Sequence, residues 1–188
     1  MSEFYKNEKT AQQYIQMTEG YDPSLMQALF SKWIKTTDTI LELGSGPGRD
    51  LEWITTNYEV EGSDYSPFFV NLLKEKFPAI PVHQMDATAL ETDKSYDAIF
   101  SNKVLHHLEH DQLAEALQQQ WKALKPGGKL LHTFWWGAHE EEIMELKFKY
   151  YEIEDLKTLL EEQFEILEIY RYDEIEEKDS IIVVAQKK

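Results

Sequence analysis

Cysteine is absent from the chain. That excludes disulfides, thiolate metal ligands and a cysteine nucleophile, and it suits a reducing compartment. Glycine and proline are sparse, 8 and 6 residues of 188, and fall between periodic segments. Fibrous and low-complexity architectures are thereby excluded. No apolar run approaches the about 20 residues that span a bilayer. The start, Met1-Ser2-Glu3-Phe4-Tyr5-Lys6, has no apolar signal-peptide core. The chain reads as cytoplasmic, with no membrane partner. Positive charge is also scarce: 19 Lys and Arg stand against 35 Asp and Glu, a formal net charge of −16. Such a surface repels a phosphate backbone, so no nucleic-acid partner is expected. A small molecule fits this charge better. The acidic runs at Glu140-Glu141-Glu142, Glu161-Glu162 and Glu174 to Glu177 read as solvated faces.

What is present is enough for a core. Hydrophobic residues make up 42% of 188 residues, a length that suits one domain. Residues 1–36 read as a helical cap, with Tyr14 and Met17, then Leu25, Met26, Leu29, Phe30, Trp33 and Ile34, at helical spacing. Gly20-Tyr21-Asp22-Pro23 breaks that run. From residue 37 to 136 strands and helices alternate. Strands are expected at Thr39 to Leu43, Tyr58 to Ser63, Ile80 to Gln84, Tyr96 to Ser101 and Lys129 to Trp135. Helices are expected from about Arg49, from Pro67 with Ser66 as its cap, and from about Asp111 to the breaker Lys125-Pro126-Gly127-Gly128. Residues 137–188 hold a charged stretch, a helix near Ile153 to Glu162, and strands at Phe164 to Tyr170 and Ser180 to Ala185. Alternation of this kind makes an α/β, doubly wound sheet of seven strands, mostly parallel. The short last connection requires an antiparallel C-terminal hairpin.

The richest segment is Ile40-Leu41-Glu42-Leu43-Gly44-Ser45-Gly46-Pro47-Gly48-Arg49-Asp50. A strand delivers an acidic residue, and three glycines follow at every second position. Glycines there let the chain turn sharply and bring bare backbone against a ligand. A dinucleotide loop, G-x-G-x-x-G, needs glycine where this chain has Arg49. A nicotinamide-dependent oxidoreductase is thereby disfavoured, and a plain structural turn remains the bland alternative.

Ligands in such sheets collect outside the carboxyl ends of the strands. Asp64 follows the second strand, 20 residues past Gly44, where a carboxylate accepts from ribose hydroxyls. A turn with a helix cap is the alternative for Asp64-Tyr65-Ser66-Pro67. Asp86 and Ala87 follow the third strand, where they can meet an adenine amine and ring nitrogen. Ser101-Asn102-Lys103-Val104-Leu105-His106-His107-Leu108 follows the fourth.

In this order and spacing, Glu42 to Gly48, Asp64, Met85-Asp86-Ala87, Tyr96 to Asn102 with Leu105-His106-His107-Leu108, and Leu124-Lys125-Pro126-Gly127-Gly128-Lys129 resemble the motifs of class I S-adenosylmethionine-dependent methyltransferases. The small-molecule branch is the nearest in kind. The resemblance spans about residues 36 to 136. It implies S-adenosyl-L-methionine as cofactor and a small-molecule acceptor. It further implies that Gly44, Ser45, Gly46 and Gly48 line the methionine part, with Glu42 beneath the loop. Asp64 would hold the ribose beside Tyr65, Asp86 and Ala87 would read the adenine, and Asn102 would meet the amino group through its main chain. Tyr14, in the cap, would add a contact, while Arg49 would point outward from its helix start.

Methyl transfer from a sulfonium chiefly needs positioning and exclusion of water. Tyr5, Tyr14, Tyr21, Trp135 and Trp136 are aromatic candidates near the cation. His106 and His107 are the candidate bases. His106 and His110 lie one helical turn apart without a third ligand, so no metal is expected. His83, His132 and His139 read as structural. His139 to Tyr151 would shape the acceptor pocket. A non-catalytic cofactor-binding or scaffold protein is the other class open, and oligomeric state is left open as well.

Overall fold

The computed structural model describes residues 8–17, 20–143 and 146–188, the side chains of residues 8, 9 and 17 excepted. Two helices come first, α1 (Glu8–Met17) and α2 (Ser24–Trp33). The alternating part follows: β1 (Thr39–Glu42), α3 (Arg49–Ile54), β2 (Glu59–Asp64), α4 (Pro67–Lys76), β3 (Val82–Gln84) and β4 (Tyr96–Asn102). A 3-10 turn (Leu105–His107) leads to α5 (His110–Ala123) and β5 (Leu124–Trp135). The remainder is β6 (Glu140–Ile143), β7 (Leu146–Lys149), α6 (Ile153–Leu160), β8 (Phe164–Tyr172) and β9 (Ser180–Lys187).

Seven strands form one sheet in the order β3-β2-β1-β4-β5-β9-β8. β1 pairs in parallel with β2 and β4, β2 with β3, and β4 with β5. β9 runs against both β5 and β8, which makes the expected hairpin. Side chains alternate across each strand, and both faces are apolar. Leu41, Ile99, Leu130, Ile181 and Val183 join Leu113, Leu117, Leu156 and Leu160 from α5 and α6. Their sequence neighbours Ile40, Ala98, Phe100, Leu131 and Ile182 join Phe30, Leu51, Ile54 and Leu73 from α2, α3 and α4. A three-layer sandwich results.

α2 therefore covers the sheet as well as leading into it. Phe30 makes edge contacts with Trp53, Tyr58 and Phe100 at ring-centroid distances of 4.8, 5.5 and 5.0 Å. Burial of that one ring contributes roughly 2–3 kcal/mol. His132, read as structural, sits in a buried chain. Its Nδ1 bonds Ser101 Oγ at 2.8 Å and its Nε2 bonds Gln120 Oε1 at 2.7 Å, which ties β4, β5 and α5 together. Burial pushes this imidazole down to about 3, so it stays neutral.

Three local expectations change. β3 begins at Val82, because Ile80 is held in a turn by donating to the Phe77 carbonyl at 3.2 Å. The Lys125-Pro126-Gly127-Gly128 breaker lies inside β5 as a bulge, with Gly127 at φ 73° and the register shifting between Tyr96 and Ala98. The charged stretch after Gly137 folds into a separate two-stranded hairpin, β6–β7. Directly opposed residues share a face, so Glu141, Ile143, Leu146 and Phe148 lie on one side. The Glu140–Lys149 ion pair, at 2.6 Å, lies on the other.

Candidate active site

β1 leads outward to β2, whereas its neighbour β4 leads the other way to β5. A crevice opens at such a reversal, outside the carboxyl ends of the strands. Here it is a cleft of about 750 Å³. A narrower recess of about 40 Å³ adjoins it, and the two share Tyr14, Gly44, Gly46, Lys103 and His107 as walls.

The glycine loop shapes the junction. Gly44 and Gly46 both have left-handed backbones, at φ 65° and 51°. A Cβ on Gly44 would stand 2.6 Å from both methyl groups of Val104, whereas one on Gly46 would meet only the Tyr14 ring edge, at 3.5 Å. Gly44 thus permits close packing, and Gly46 leaves bare backbone facing the recess. Gly48 differs from expectation. Its Cβ position points at Phe77 and Leu73, 2.6 and 2.7 Å away, and it is not among the cleft walls. Its left-handed φ of 79° starts α3 and lets the loop pack on α4.

Asp64, at the end of β2, lines the narrow recess with Tyr14, Tyr65, Met85 and Ala87. Its Oδ2 accepts from Gly46 N–H at 2.9 Å and its Oδ1 from Ser66 N–H at 2.8 Å. Burial nonetheless pushes this carboxyl up to about 6 against those hydrogen bonds. Asp86 is not a wall of either cavity, because its Oδ1 is turned into the next loop, accepting from Thr88 N–H and Oγ1–H at 2.8 Å each. Tyr14 packs edge-on against Phe69, and burial, followed by the Asp64 charge, raises its phenol to about 12.

The wide cleft holds Glu42, Ser45, Arg49, Asp50 and Asn102 at its inner end. Glu42 is 3% exposed, and its Oε2 has no hydrogen-bond partner. Burial first, then the charge of Asp50, holds the Glu42 carboxyl well above its ordinary range. Asp50, which the sequence left without a role, anchors a network. It accepts from Tyr21 OH at 2.9 Å and from Trp53 Nε1 and Asn102 Nδ2 at 3.0 Å each. Asn102 also donates to Tyr21 OH at 3.0 Å and accepts from Thr133 Oγ1 at 2.7 Å. Its side chain is thereby committed to the protein, and only its main chain is left for a ligand. Arg49 does not point outward. Its Nη2 donates to the Ile15 carbonyl of α1 at 3.4 Å, and its buried Nε lacks a partner.

The outer end is aromatic. His106, His107, Trp135, Phe148 and Tyr172 are among its walls. His106 is 2% exposed, and neither ring nitrogen has a partner. Its ring stacks on Phe148 at 5.2 Å and 16°. His107 Nδ1–H donates to the Lys147 carbonyl at 2.7 Å, which places its lone pair on Nε2. Burial lowers both imidazoles, His106 well below the ordinary value, so both are neutral at pH 7.

Tyr14, Tyr21 and Trp135 reach the cleft as aromatic candidates. Trp136 does not: it is 37% exposed, with the Arg171 guanidinium 3.4 Å from its ring centre. Tyr5 lies outside the described residues. Lys103, quoted in a motif but given no role, is held by Phe134 O at 3.0 Å and Ser180 Oγ at 2.5 Å. Burial pushes its ammonium down to about 7.

The same region matches a known domain: residues 40–128 fit the methyltransferase domain family. An uncharacterized methyltransferase of Alkaliphilus oremlandii is 26% identical over 156 residues, covering 79% of this chain and 72% of that one. A phosphoethanolamine N-methyltransferase of Plasmodium falciparum is 28% identical over 148 residues, 74% of this chain and only 55% of that protein. The fold is shared with the crystal structure of a S-adenosylmethionine-dependent methyltransferase from Clostridium acetobutylicum. The TM-score there is 0.79 at 12% identity, over 94% of this chain and 98% of that one. Residues 40–128 thus carry a methyltransferase domain, on a fold shared with S-adenosylmethionine-dependent methyltransferases.

Proposed function

We propose that this chain transfers the methyl group of S-adenosylmethionine to a small-molecule acceptor bound in the outer part of the cleft. The observation that carries the reading is the bare, left-handed Gly44–Gly46 turn, set between a buried Asp64 and two buried orphan groups, Glu42 Oε2 and Arg49 Nε. These residues fit the cofactor. Asp64 has further lone pairs for a ribose diol, and Ala87, Met85 and Tyr65 offer a flat recess to adenine. Arg49 supplies an N–H for the methionine carboxylate, and Glu42 and the Asn102 main chain take the amino group.

When bound, the cofactor supplies an electrophilic methyl on a cationic sulfur. The chain's own part is to hold donor and acceptor in line, to exclude water, and to remove a proton where the acceptor carries one. Neutral His106 and His107 sit at the outer end for that proton. The Lys147 carbonyl sets the tautomer of His107, which makes Nε2 its basic nitrogen. The relative from Plasmodium falciparum, named for an amine acceptor, supports a small acceptor.

Titration calorimetry with S-adenosylhomocysteine tests the cofactor half of this reading. Micromolar or tighter binding is expected, with a loss of at least tenfold in Asp64→Ala. No heat from the wild-type protein would overturn it. Release of S-adenosylhomocysteine with an acceptor panel tests the other half.

A further inference from the structure

We infer that the acceptor is a flat, largely apolar ring compound that presents an O–H or N–H to His106, and that a small phosphorylated amine is not the substrate. This rests on the methyltransferase reading above and names its substrate class.

Four observations converge on the outer end of the cleft. The first is His106: its ring is 2% exposed, lines the cleft, and leaves both nitrogens without partners. A buried polar group left unpaired costs stability unless a ligand satisfies it. A neutral imidazole offers one donor and one acceptor, which suits a hydroxyl or ring N–H. The second is the wall chemistry. Trp135 and Phe148 flank His106 at ring-centroid distances of 6.4 and 5.2 Å, and the Phe148 ring stacks nearly parallel to it, at 16°. Aromatic walls of this kind favour a planar ring.

The third is misplaced hydrophobicity. Ile143 on the β6–β7 hairpin is 45% exposed and Ile175 in the β8–β9 connection is 80% exposed, and both line this same cleft. Hairpin register turns Ile143, Leu146 and Phe148 to one face, and all three are cleft walls. An apolar acceptor would take them out of water. The fourth is the cation inventory. Among the described residues, the cleft's lysine and arginine are Lys103 and Arg49. The Lys103 ammonium is engaged by Phe134 O and Ser180 Oγ and lies 3.5 Å from the Trp135 ring centre. Arg49 belongs to the inner end, against α1. Asp173 and Glu174 also line the cleft, paired with Lys178 and Lys103 at 3.3 and 3.9 Å. Among the described residues, a phosphate beside His106 would find no uncommitted cation, which is unfavourable.

The test is calorimetry on the full chain saturated with S-adenosylhomocysteine, titrated with 1-naphthol, naphthalene-2-sulfonate and phosphoethanolamine. Naphthol should bind, while the sulfonate and phosphoethanolamine should bind at least roughly tenfold more weakly. Ile143→Glu, a change at an exposed hairpin position, should weaken naphthol binding and leave S-adenosylhomocysteine binding unaltered. His106→Phe keeps the stacked ring and removes the nitrogens. It should weaken naphthol by roughly fivefold to tenfold, while binding of unsubstituted naphthalene holds. Tighter binding of phosphoethanolamine than of naphthol would overturn the inference, as would naphthol binding indifferent to Ile143→Glu. In both cases retained S-adenosylhomocysteine binding leaves the methyltransferase reading standing. Failure to bind S-adenosylhomocysteine itself would overturn that reading and this inference with it.

Discussion

Asp64 gives the sharpest quantitative test. Burial lifts its carboxyl from the ordinary 3.8 to about 6, even though Gly46 and Ser66 donate to it. A shift of that size corresponds to about 3 kcal/mol. The native state holds this proton more tightly than the unfolded chain does. The group therefore costs nothing below pH 3.8, and the cost grows as pH rises through about 6. Asp64→Asn preserves shape but does not titrate. Its mismatch with one of the two N–H donors is a constant offset. Urea unfolding of both proteins from pH 3.5 to 8 isolates the effect as a difference. Wild type should lose about 3 kcal/mol relative to the variant across that range, mostly between about pH 4 and 6. Binding runs the opposite way. A ribose diol donates to the ionised carboxylate, so S-adenosylhomocysteine affinity should be flat above pH 7. It should fall toward about tenfold per unit below about pH 6. A flat stability difference, together with affinity indifferent to pH, would refute both the burial argument and the placement of the ribose.

Gly44→Ala and Gly48→Ala should each destabilise by about 2–4 kcal/mol, since each adds a Cβ at 2.6 Å from a side chain on a left-handed backbone. Thermal melts check this, and only Gly44→Ala should also impair S-adenosylhomocysteine binding. For an acceptor that must lose a proton, His107→Gln should lower turnover by roughly 10²–10⁴-fold with cofactor binding unchanged. In the wild type the rate should fall only at pH values below the ordinary imidazole range, because burial lowers His107 and only its neutral form accepts a proton. Lys103 is held at about 7 in the native state against 10.5 ordinarily. Wild-type stability should therefore rise relative to Lys103→Met as pH climbs from 7 toward 10, measurable by urea midpoints over that interval.

The sequence by itself determined the sheet. Alternating apolar strands, each a few residues from a periodic helix, leave few ways to bury both faces, and the short Tyr170–Ser180 connection requires an antiparallel end. It also located the cleft, because local chemistry ties a glycine turn and a strand-end Asp64 to the mouth of such a sheet. The roles of Asp50, Lys103 and Tyr172 were not legible. Each depends on partners far along the chain, as when Asn102 meets Tyr21 and Asp50 across 81 and 52 positions. Gly48 and Asp86 share the motif pattern of their neighbours, yet packing on α4 and a local turn draw them off the cleft. The β6–β7 hairpin was not legible because its alternation is four residues long and set among glutamates. Local propensity and periodicity thus determined the scaffold and the glycine-loop end of the cleft. Only the tertiary structure decided the outer end, since burial, orphaned nitrogens and shared walls exist only once distant segments meet.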